Sequence, residues 1–515
     1  MKRTIIIITV LAINCGLAFS QTIFDALKIA ETDINGTARY TSMAGAFGAL
    51  GGDPSAIKDN PAGLGVYRKS ELSATGDILM QTSASTWNTQ KASDNLYNVG
   101  TNNFTLVFAS PTWRSESQLN GLLSSNFSFS YNKLKNFNRN INIRGKESGS
   151  SMTDYFAQFT TGLTENDLRQ VDDYEPFDNG KVPWMSILAY DSFLMYESSE
   201  SNIVWGSLLG KDEKVTPSYS LSEQGKVDEY SLAWSGNFSN KVFLGASLNF
   251  QSIYYKSVSQ YNEVFEKGGN MNLVNNLTMK GAGFNFNIGA IVIPVDFIRL
   301  GLSLHTPMTY TLSSSNNFKV NYDTEKIGYL NSPYGNTDFK IQSPLQMNVS
   351  TAFIIERKGL ISAEYVLTNY NGMKLSDIEG NSQDYEEDNT DMNNMFNNAR
   401  TIKIGGEYKV SDNLSLRAGF ANTSSKTRTD ATKNMFPSTI RTDTEYFLHN
   451  STNYFTGGIG YRESGWYIDF GVMRRINNED YMAYNSSILS ENLALTPANV
   501  ITKNNNLVLT FGLRF

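Results

Sequence analysis

The sequence predicts an all-β fold, a transmembrane antiparallel β-barrel, and three observations carry that prediction. Apolar residues alternate with polar ones at a period of two along most of the chain. The alternating segments are joined by turns of a few residues on one side and by long polar connections on the other. The alternation then runs to the last residue, Phe515.

The N-terminus is read as an export signal over residues 1–20. Lys2 and Arg3 precede an apolar run from Ile5 to Ile13, and Ala18-Phe19-Ser20 supplies small residues before a cut at Gln21. The run is far shorter than the roughly 20 residues a membrane helix needs. An N-terminal anchor or a buried helix is the competing reading. Cys15 raises an acylated lipoprotein as a further alternative, but Asn14 stands where such a site requires a small residue. With Cys15 removed no cysteine remains, which excludes a disulfide framework, a thiolate nucleophile and a cysteine metal site.

The net charge of -7 disfavours nucleic acid, whose phosphates call for a basic track. Composition points the same way as the periodicity: 27 Tyr, 30 Phe and 40 Gly stand beside only 12 Pro. Barrels use such aromatics at both membrane interfaces.

Residues 21–68 differ from everything after them. Ser42 to Gly52, Asp53-Pro54 and Asn60-Pro61-Ala62-Gly63-Leu64-Gly65 are rich in small residues that allow tight turns and close backbone approach but build little core. The segment must therefore pack against something else. Gly45, Gly48, Gly51 and Gly52 are not a nucleotide fingerprint, since their spacing is wrong and no phosphate-loop lysine follows. In Asn60-Pro61, proline fixes its own φ and biases Asn60 away from helix, while the Asn60 amide is free to bond nearby backbone. An ordinary turn is the plain alternative.

From residue 69 onward, strand patterns follow one another. Phe127, Phe129 and Tyr131 alternate with serines; Tyr230, Leu232 and Trp234 pass through Ser239-Asn240-Lys241 into Val242, Leu244, Ala246, Leu248 and Phe250. Ile402, Ile404 and Tyr408 lead through Val410-Ser411-Asp412-Asn413 into Leu414, Leu416, Ala418 and Phe420. Each reads as a hairpin with one apolar face. In a soluble sandwich that face would meet another sheet; in a barrel it meets lipid. The long connections, read at about Asn132–Met152, Asp191–Gly225, Gln260–Asn276, Asn369–Asn398 and Asn422–Thr452, favour the barrel by their asymmetry. Closure also leaves no strand edge unpaired in hydrocarbon. Glu364, Lys403, Glu407, Arg417 and Asp469 lie on the phase opposite to the apolar residues and become candidate luminal polar residues. Spread over about 14 strands the chain allows roughly 32 residues per strand and connection, and about 12 or about 16 strands fit as well.

Gly36-Thr37-Ala38-Arg39, Met43-Ala44-Gly45-Ala46-Phe47, Gly51-Gly52-Asp53, Asn60-Pro61-Ala62-Gly63 and Leu302-Ser303-Leu304-His305-Thr306-Pro307 resemble the long-chain fatty-acid and aromatic-hydrocarbon transport proteins of Gram-negative outer membranes, in a Bacteroidetes-type form. The resemblance implies a barrel of 14 strands with residues 21–68 folded into its lumen from the periplasmic side as a hatch, and residues 69–515 as the wall. It maps the hatch motif onto Asn60, Pro61, Ala62 and Gly63, and it makes Phe515 an assembly signal read by the barrel assembly machinery. It further implies passive capture of hydrophobic small molecules, their release past the hatch through a gap in the wall, and a monomer set in outer-membrane lipid and lipopolysaccharide. A noncatalytic surface barrel that docks or carries exported proteins is the alternative from a different class.

No enzyme chemistry is read here. His305 and His449 are the two histidines, and neither a His-Glu-x-x-His site nor a Gly-x-Ser-x-Gly elbow occurs. His305 is read as a hydrogen-bonded interior or rim residue. The acidic run Asp377, Glu379, Asp384, Glu386, Glu387, Asp388 and Asp391 is dense enough to attract Ca²⁺ but lacks the ordered ligand spacing, and a solvated loop is the simpler reading. No cofactor or metal is assigned.

Overall fold

Hairpin pairing between consecutive strands, completed by pairing of the last strand with the first, closes a cylinder. The computed structural model describes residues 23–515 except 113–119, 199–201, 323–328, 357, 437–438, 491–492 and 494; the leader, residues 1–20, lies outside the described residues. The wall has 14 strands. These are β1 (Glu71–Trp87), β2 (Gln90–Pro111), β3 (Leu122–Asn136, continued by Arg139–Arg144), β4 (Val215–Phe238), β5 (Val242–Phe265), β6 (Asn270–Val295) and β7 (Ile298–His305, continued by Thr309–Tyr322). They continue as β8 (Gly335–Gln342 and Gln346–Ile355), β9 (Gly359–Asn369 and Lys374–Ser376), β10 (Asn398–Lys409), β11 (Leu414–Thr423), β12 (Tyr446–Arg462), β13 (Trp466–Met482) and β14 (Ala498–Arg514). Closure is antiparallel, with Leu72 opposite Leu513.

The apolar phase of every one of these sheets points outward. Phe127, Phe129, Leu232, Trp234, Leu248, Phe284, Ile402, Ile404, Phe470 and Phe511 are exposed, while Ser128, Ser130, Ser231, Ser247, Asn249 and Thr510, one step out of phase, are buried. That inversion removes the sandwich reading, because a sandwich would bury the rings. Exposed apolar surface of this extent is stable only against lipid.

Strand length corrects part of the loop assignment. The pairs β4–β5 and β5–β6 hold register from Phe238 opposite Val242 to Val264 opposite Asn270, so Gln260–Asn276 is not a long connection but two strand ends and a tight turn. The stretch from Asn132 to Arg144 is likewise largely strand, and β4 has already begun at Val215. Above the membrane the outward face of these strands is largely polar and the apolar residues Tyr261, Phe265, Met271 and Leu273 pack inward, so the alternation seen along the lipid-facing band does not continue there.

Residues 145–198 and 202–214 form a helical cap at the end of the barrel away from the chain termini. Helices α3 (Met152–Thr160), α4 (Glu165–Leu168) and α5 (Trp184–Asp191) bury Tyr155, Phe156, Trp184, Met185 and Leu188 against strand tops through Trp87, Tyr219, Phe265 and Tyr481. Ser151 and Asp154 close the start of α3 as a capping box, and Glu263 of β5 accepts the Met152 N–H at 2.9 Å.

The second half of the acidic run, from Glu386, lies in helix Glu386–Met395, with Glu386, Glu387 and Asp388 in its first turn where the macrodipole favours them. Asp388 is buried there, and burial followed by the charges of Asp391 and Glu387 pushes its carboxyl up to about 7. The folded helix thus holds the proton more tightly than the unfolded loop does. No penalty exists below the ordinary carboxylate range; stability falls as pH rises from there and the loss is complete above about 7. Amide exchange of residues 386–395, corrected for intrinsic rate, is expected to be faster at pH 8 than at pH 5, and Asp388→Asn should abolish the difference.

Candidate functional site

The segment before β1 lies inside the wall. It starts high in the lumen with α1 (Ile23–Ala30), whose Asp25, Lys28 and following Glu31 and Asp33 reach Arg441, Glu223, Lys135 with Lys426, and Arg475 respectively. The chain then descends through α2 (Ala38–Ser42) and two short 3-10 turns, Pro54–Ile57 and Pro61–Val66. Thr37 caps α2 through the Tyr40 N–H, Asp53 caps the first turn through Ser55 N–H, and Asn60 caps the second through Ala62 N–H. Proline follows Asp53 and Asn60 at the first turn position, where its missing N–H costs nothing. The small-residue sequence therefore folds as a string of capped turns.

Asn60 does more than cap. Its Nδ2 donates to Gly48 O at 2.7 Å and to Ala290 O of β6 at 3.3 Å. The backbone carbonyl of Asp59 accepts from Ser303 Oγ at 2.6 Å and Asn348 Nδ2 at 3.3 Å, and pairs with His305 Nε2 at 2.8 Å. Close approach is permitted by wall glycines: a Cβ at Gly289 would overlap Asn60 Oδ1, one at Gly245 would overlap the Pro61–Ala62 peptide, and one at Gly405 would stand 2.5 Å from Met43 O. Of the segment's own glycines, Gly45, Gly51 and Gly52 take positive φ, and Gly48 donates its N–H to Glu364 Oε2 at 2.8 Å. Gly63 packs on Gly51.

Glu364, Lys403, Glu407, Arg417 and Asp469 all face the lumen, in two charge networks. Lys403 Nζ lies 2.9 Å from Glu364 and 3.5 Å from Asp59, which also accepts from Tyr40 OH at 2.6 Å. Glu407 lies between Arg39 at 2.8 Å and Arg417 at 2.6 Å, and Arg417 continues to Asp469 at 2.5 Å. Each network thus joins two or more wall strands to the N-terminal segment. Arg39 and Asp59, the segment's partners, were not singled out from the sequence; their charges sit in turns, where no periodicity assigns a face. Glu223 and Glu479, which share Arg139, were missed although both lie on the inward phase of their strands.

The wall is interrupted beside β3. Pairing with β2 runs from Pro111 opposite Ser124 to Asn103 opposite Asn132 and ends there, while β3 stays paired with β4 to Arg144 opposite Ser218. Past Asn132, β3 turns inward behind β1: Gln81 Nε2 donates to Asn138 O at 3.3 Å and Ser85 Oγ to Asn142 O at 2.6 Å. Among the described residues the outer half of β2 has no ladder partner on that side, and its Tyr97 and Val99 are 76% and 78% exposed. Lys133, paired with Asp77 at 3.1 Å, marks the turning point.

Directly behind this discontinuity lies an open-mouthed cavity of about 150 Å³, bounded by the inward-turned Phe137, Asn138 and Arg139, by α1 and by β4 to β6. Phe24, Leu27, Phe137, Leu221, Tyr255 and Leu277 give it apolar surface. A second cavity of about 160 Å³ lies lower, beside Asp59 and His305, with a more polar lining. Glu31, held by Lys135 and by Lys426 at 2.9 Å, stands between them.

Residues 227–474 match the family described as outer membrane protein transport protein (OMPP1/FadL/TodX). Over this stretch, just under half of its length, the chain matches an outer-membrane transport family. Solved structures agree on the fold: a FadL homologue of Pseudomonas aeruginosa aligns at a TM-score of 0.53 and 13% identity, covering 94% of this chain and 99% of that one. The toluene transporter TodX of Pseudomonas putida aligns at 0.50 and 11% identity, with 94% and 99% covered. No curated protein matches the chain in sequence. At these identities the structural likeness speaks for the barrel alone, and the family match places this transport protein in the outer membrane. The long-loop end, with the helical cap, therefore faces outward from the cell, and both chain ends of the barrel face the periplasm.

Proposed function

We propose that this protein carries hydrophobic small molecules across the outer membrane without an energy source, through the upper cavity, the break between β2 and β3, and a hatch formed by residues 21–68. The observation that carries the reading is the coincidence of the cavity with the break, since Phe137 and Arg139 line the one because β3 has left β2 to make the other. An apolar solute gains roughly 25 cal/mol per Å² on leaving water for such a lining, which supplies capture without coupling to another process. A lateral route spares the solute the polar core of the barrel, whose lower cavity and charge networks would strip no water from it at a profit. Long-chain fatty acids and hydrocarbons are the substrate classes proposed, the second supported by the toluene transporter among the similar folds.

The break can be closed chemically. Asn98 of β2 and Asn136 of β3 face each other across it, their amides 3.5 Å apart. Asn98→Cys with Asn136→Cys, bridged by a short bis-thiol reagent, is expected to reduce uptake of labelled oleate and toluene by at least tenfold in cells lacking other channels, with recovery on reduction. Uptake at the unbridged rate would exclude the lateral route. Absence of uptake by the unmodified protein, together with co-purification of a secreted protein, would turn the assignment toward docking.

A further inference from the structure

We propose that Lys256, Lys280, Lys340 and Lys374 form a binding arc for the phosphate groups of glycolipids in the outer leaflet. Their outward direction is fixed by their neighbours: Tyr255, Met279, Phe339, Ile341, Met373 and Leu375, each adjacent in sequence to one of the lysines, are buried on the luminal side. A residue one step out of phase on a strand must face the opposite way.

Register places the four lysines in two diagonal pairs. Lys256 is opposite Thr278, so Lys280 stands two residues along the neighbouring strand on the same face. Lys340 is opposite Ser376 and Lys374 opposite Gln342, the same relation between β8 and β9. Diagonal neighbours lie about 7–8 Å apart. At that separation two ammonium groups repel, and an anion bound between them relieves the repulsion. Strand β7 separates the pairs and contributes Ser313, which is opposite Lys280 and donates to Asp338. Asp338 lies two residues from Lys340 and therefore on the same outward face, and Asp377 follows Ser376, the residue opposite Lys340. Among the described residues none of the four lysines is part of an ion pair, whereas nearby Lys226 is held by Asp228 at 2.6 Å.

Height along the barrel identifies the anion. On the same outward face, Leu248, Phe250, Phe284, Phe286, Met347, Val349, Tyr365 and Leu367 form the lipid-facing band, and each lysine lies toward the extracellular end from it. Tyr254, with the Lys280 ammonium 5.6 Å from its ring centre, sits at the junction. Groups just above the hydrocarbon edge of the outer leaflet are lipid headgroups, and the anionic chemistry that suits paired ammoniums at this depth is phosphate. Cations at a membrane surface attract anionic headgroups. A phosphorylated glycolipid satisfies position and charge together; an acidic soluble protein would have to reach down beside the chains.

The test is lipid retention. The full-length protein with all four lysines changed to glutamine, and the unaltered protein, would be folded in neutral detergent and mixed with diphosphorylated lipid A or its phosphate-free form, then counted by native mass spectrometry. The unaltered protein should retain the phosphorylated lipid at least tenfold better than the variant, and better than it retains the phosphate-free lipid. Equal retention by both proteins, or equal retention of both lipids, overturns the proposal, as does binding only of an acidic protein. Because the four side chains lie outside the lumen, oleate and toluene uptake should be unaltered by the substitutions, so this result and the transport result are independent. Heat-modifiable migration on gels reports whether the variant has folded, and Lys256→Arg with Lys280→Arg should restore retention.

Discussion

Replacing Gly289 by valine should eject the Asn60 turn from its seat while leaving the barrel closed. A Cβ at this position overlaps Asn60 Oδ1, and Pro61 Cδ lies 3.1 Å away, so neither the cap nor the proline ring can yield by side-chain rotation alone. Relief requires moving backbone, and the bonds of Asn60 to Gly48 O and Ala290 O are lost with it. A cysteine introduced as Ala62→Cys reports the outcome. Ala62 is fully buried, so its thiol should be unreactive in the parent and react at least tenfold faster when Gly289→Val is added. Gly406→Val is the matched control, since its nearest neighbour would be Leu360 O at 3.6 Å, ordinary contact. Unchanged thiol reactivity in the Gly289 variant would mean that the segment is not seated as a unit and would remove the basis for a hatch.

The second large effect is electrostatic. Glu407→Met removes the carboxylate shared by Arg39 and Arg417 and leaves two guanidinium groups against Asp469 alone. Breaking a buried pair by deleting one partner costs about 3–5 kcal/mol, because the surviving charge has lost both water and counter-charge. A loss of that size should appear in urea titrations of the protein in micelles. Adding Arg39→Met returns the cluster to one cation and one anion, Arg417 and Asp469, and should recover a substantial part of the loss despite removing a further contact. A double variant less stable than the single one would show that Arg39 acts through packing on Phe47, where its guanidinium lies 5.1 Å from the ring centre, and not through charge.

The two substitutions test different holds on the same segment. The first concerns steric fit, which glycines at Gly245, Gly289 and Gly405 make possible by letting backbone lie on backbone. The second concerns charge, which ties Lys28 of α1, Asp33, Arg39 and Asp59 to β4, β10 and β13 through pairs that work only when the segment is in place. Any movement that opens the lumen must release the charge contacts in its path, so a solute passing near Glu31 meets a barrier set by Lys135 and Lys426.

What the sequence determined by itself is the direction in which each wall residue faces. A strand period of two has no alternative phase once one face is apolar, so the outward place of Phe127, Ile404 and Phe470 and the inward place of Glu364, Lys403 and Arg417 were legible without coordinates. Turn chemistry was legible for the same reason: Asp53-Pro54 and Asn60-Pro61 specify capped turns within four or five residues. Where strands stop was not legible above the membrane, because there the apolar phase of β5 and β6 passes to the inward face, with Tyr255, Tyr261, Phe265, Met271 and Leu273 buried, and the outward face turns largely polar. Partners across the lumen were not legible either. Arg39 meets Glu407 across 368 residues of chain, and Asp59 meets Lys403 across 344, distances at which no local pattern carries information. The break between β2 and β3 belongs to the same class. It arises because β3 exchanges pairing with β2 for contacts behind β1, a choice among competing surfaces that exists only once the cylinder has closed.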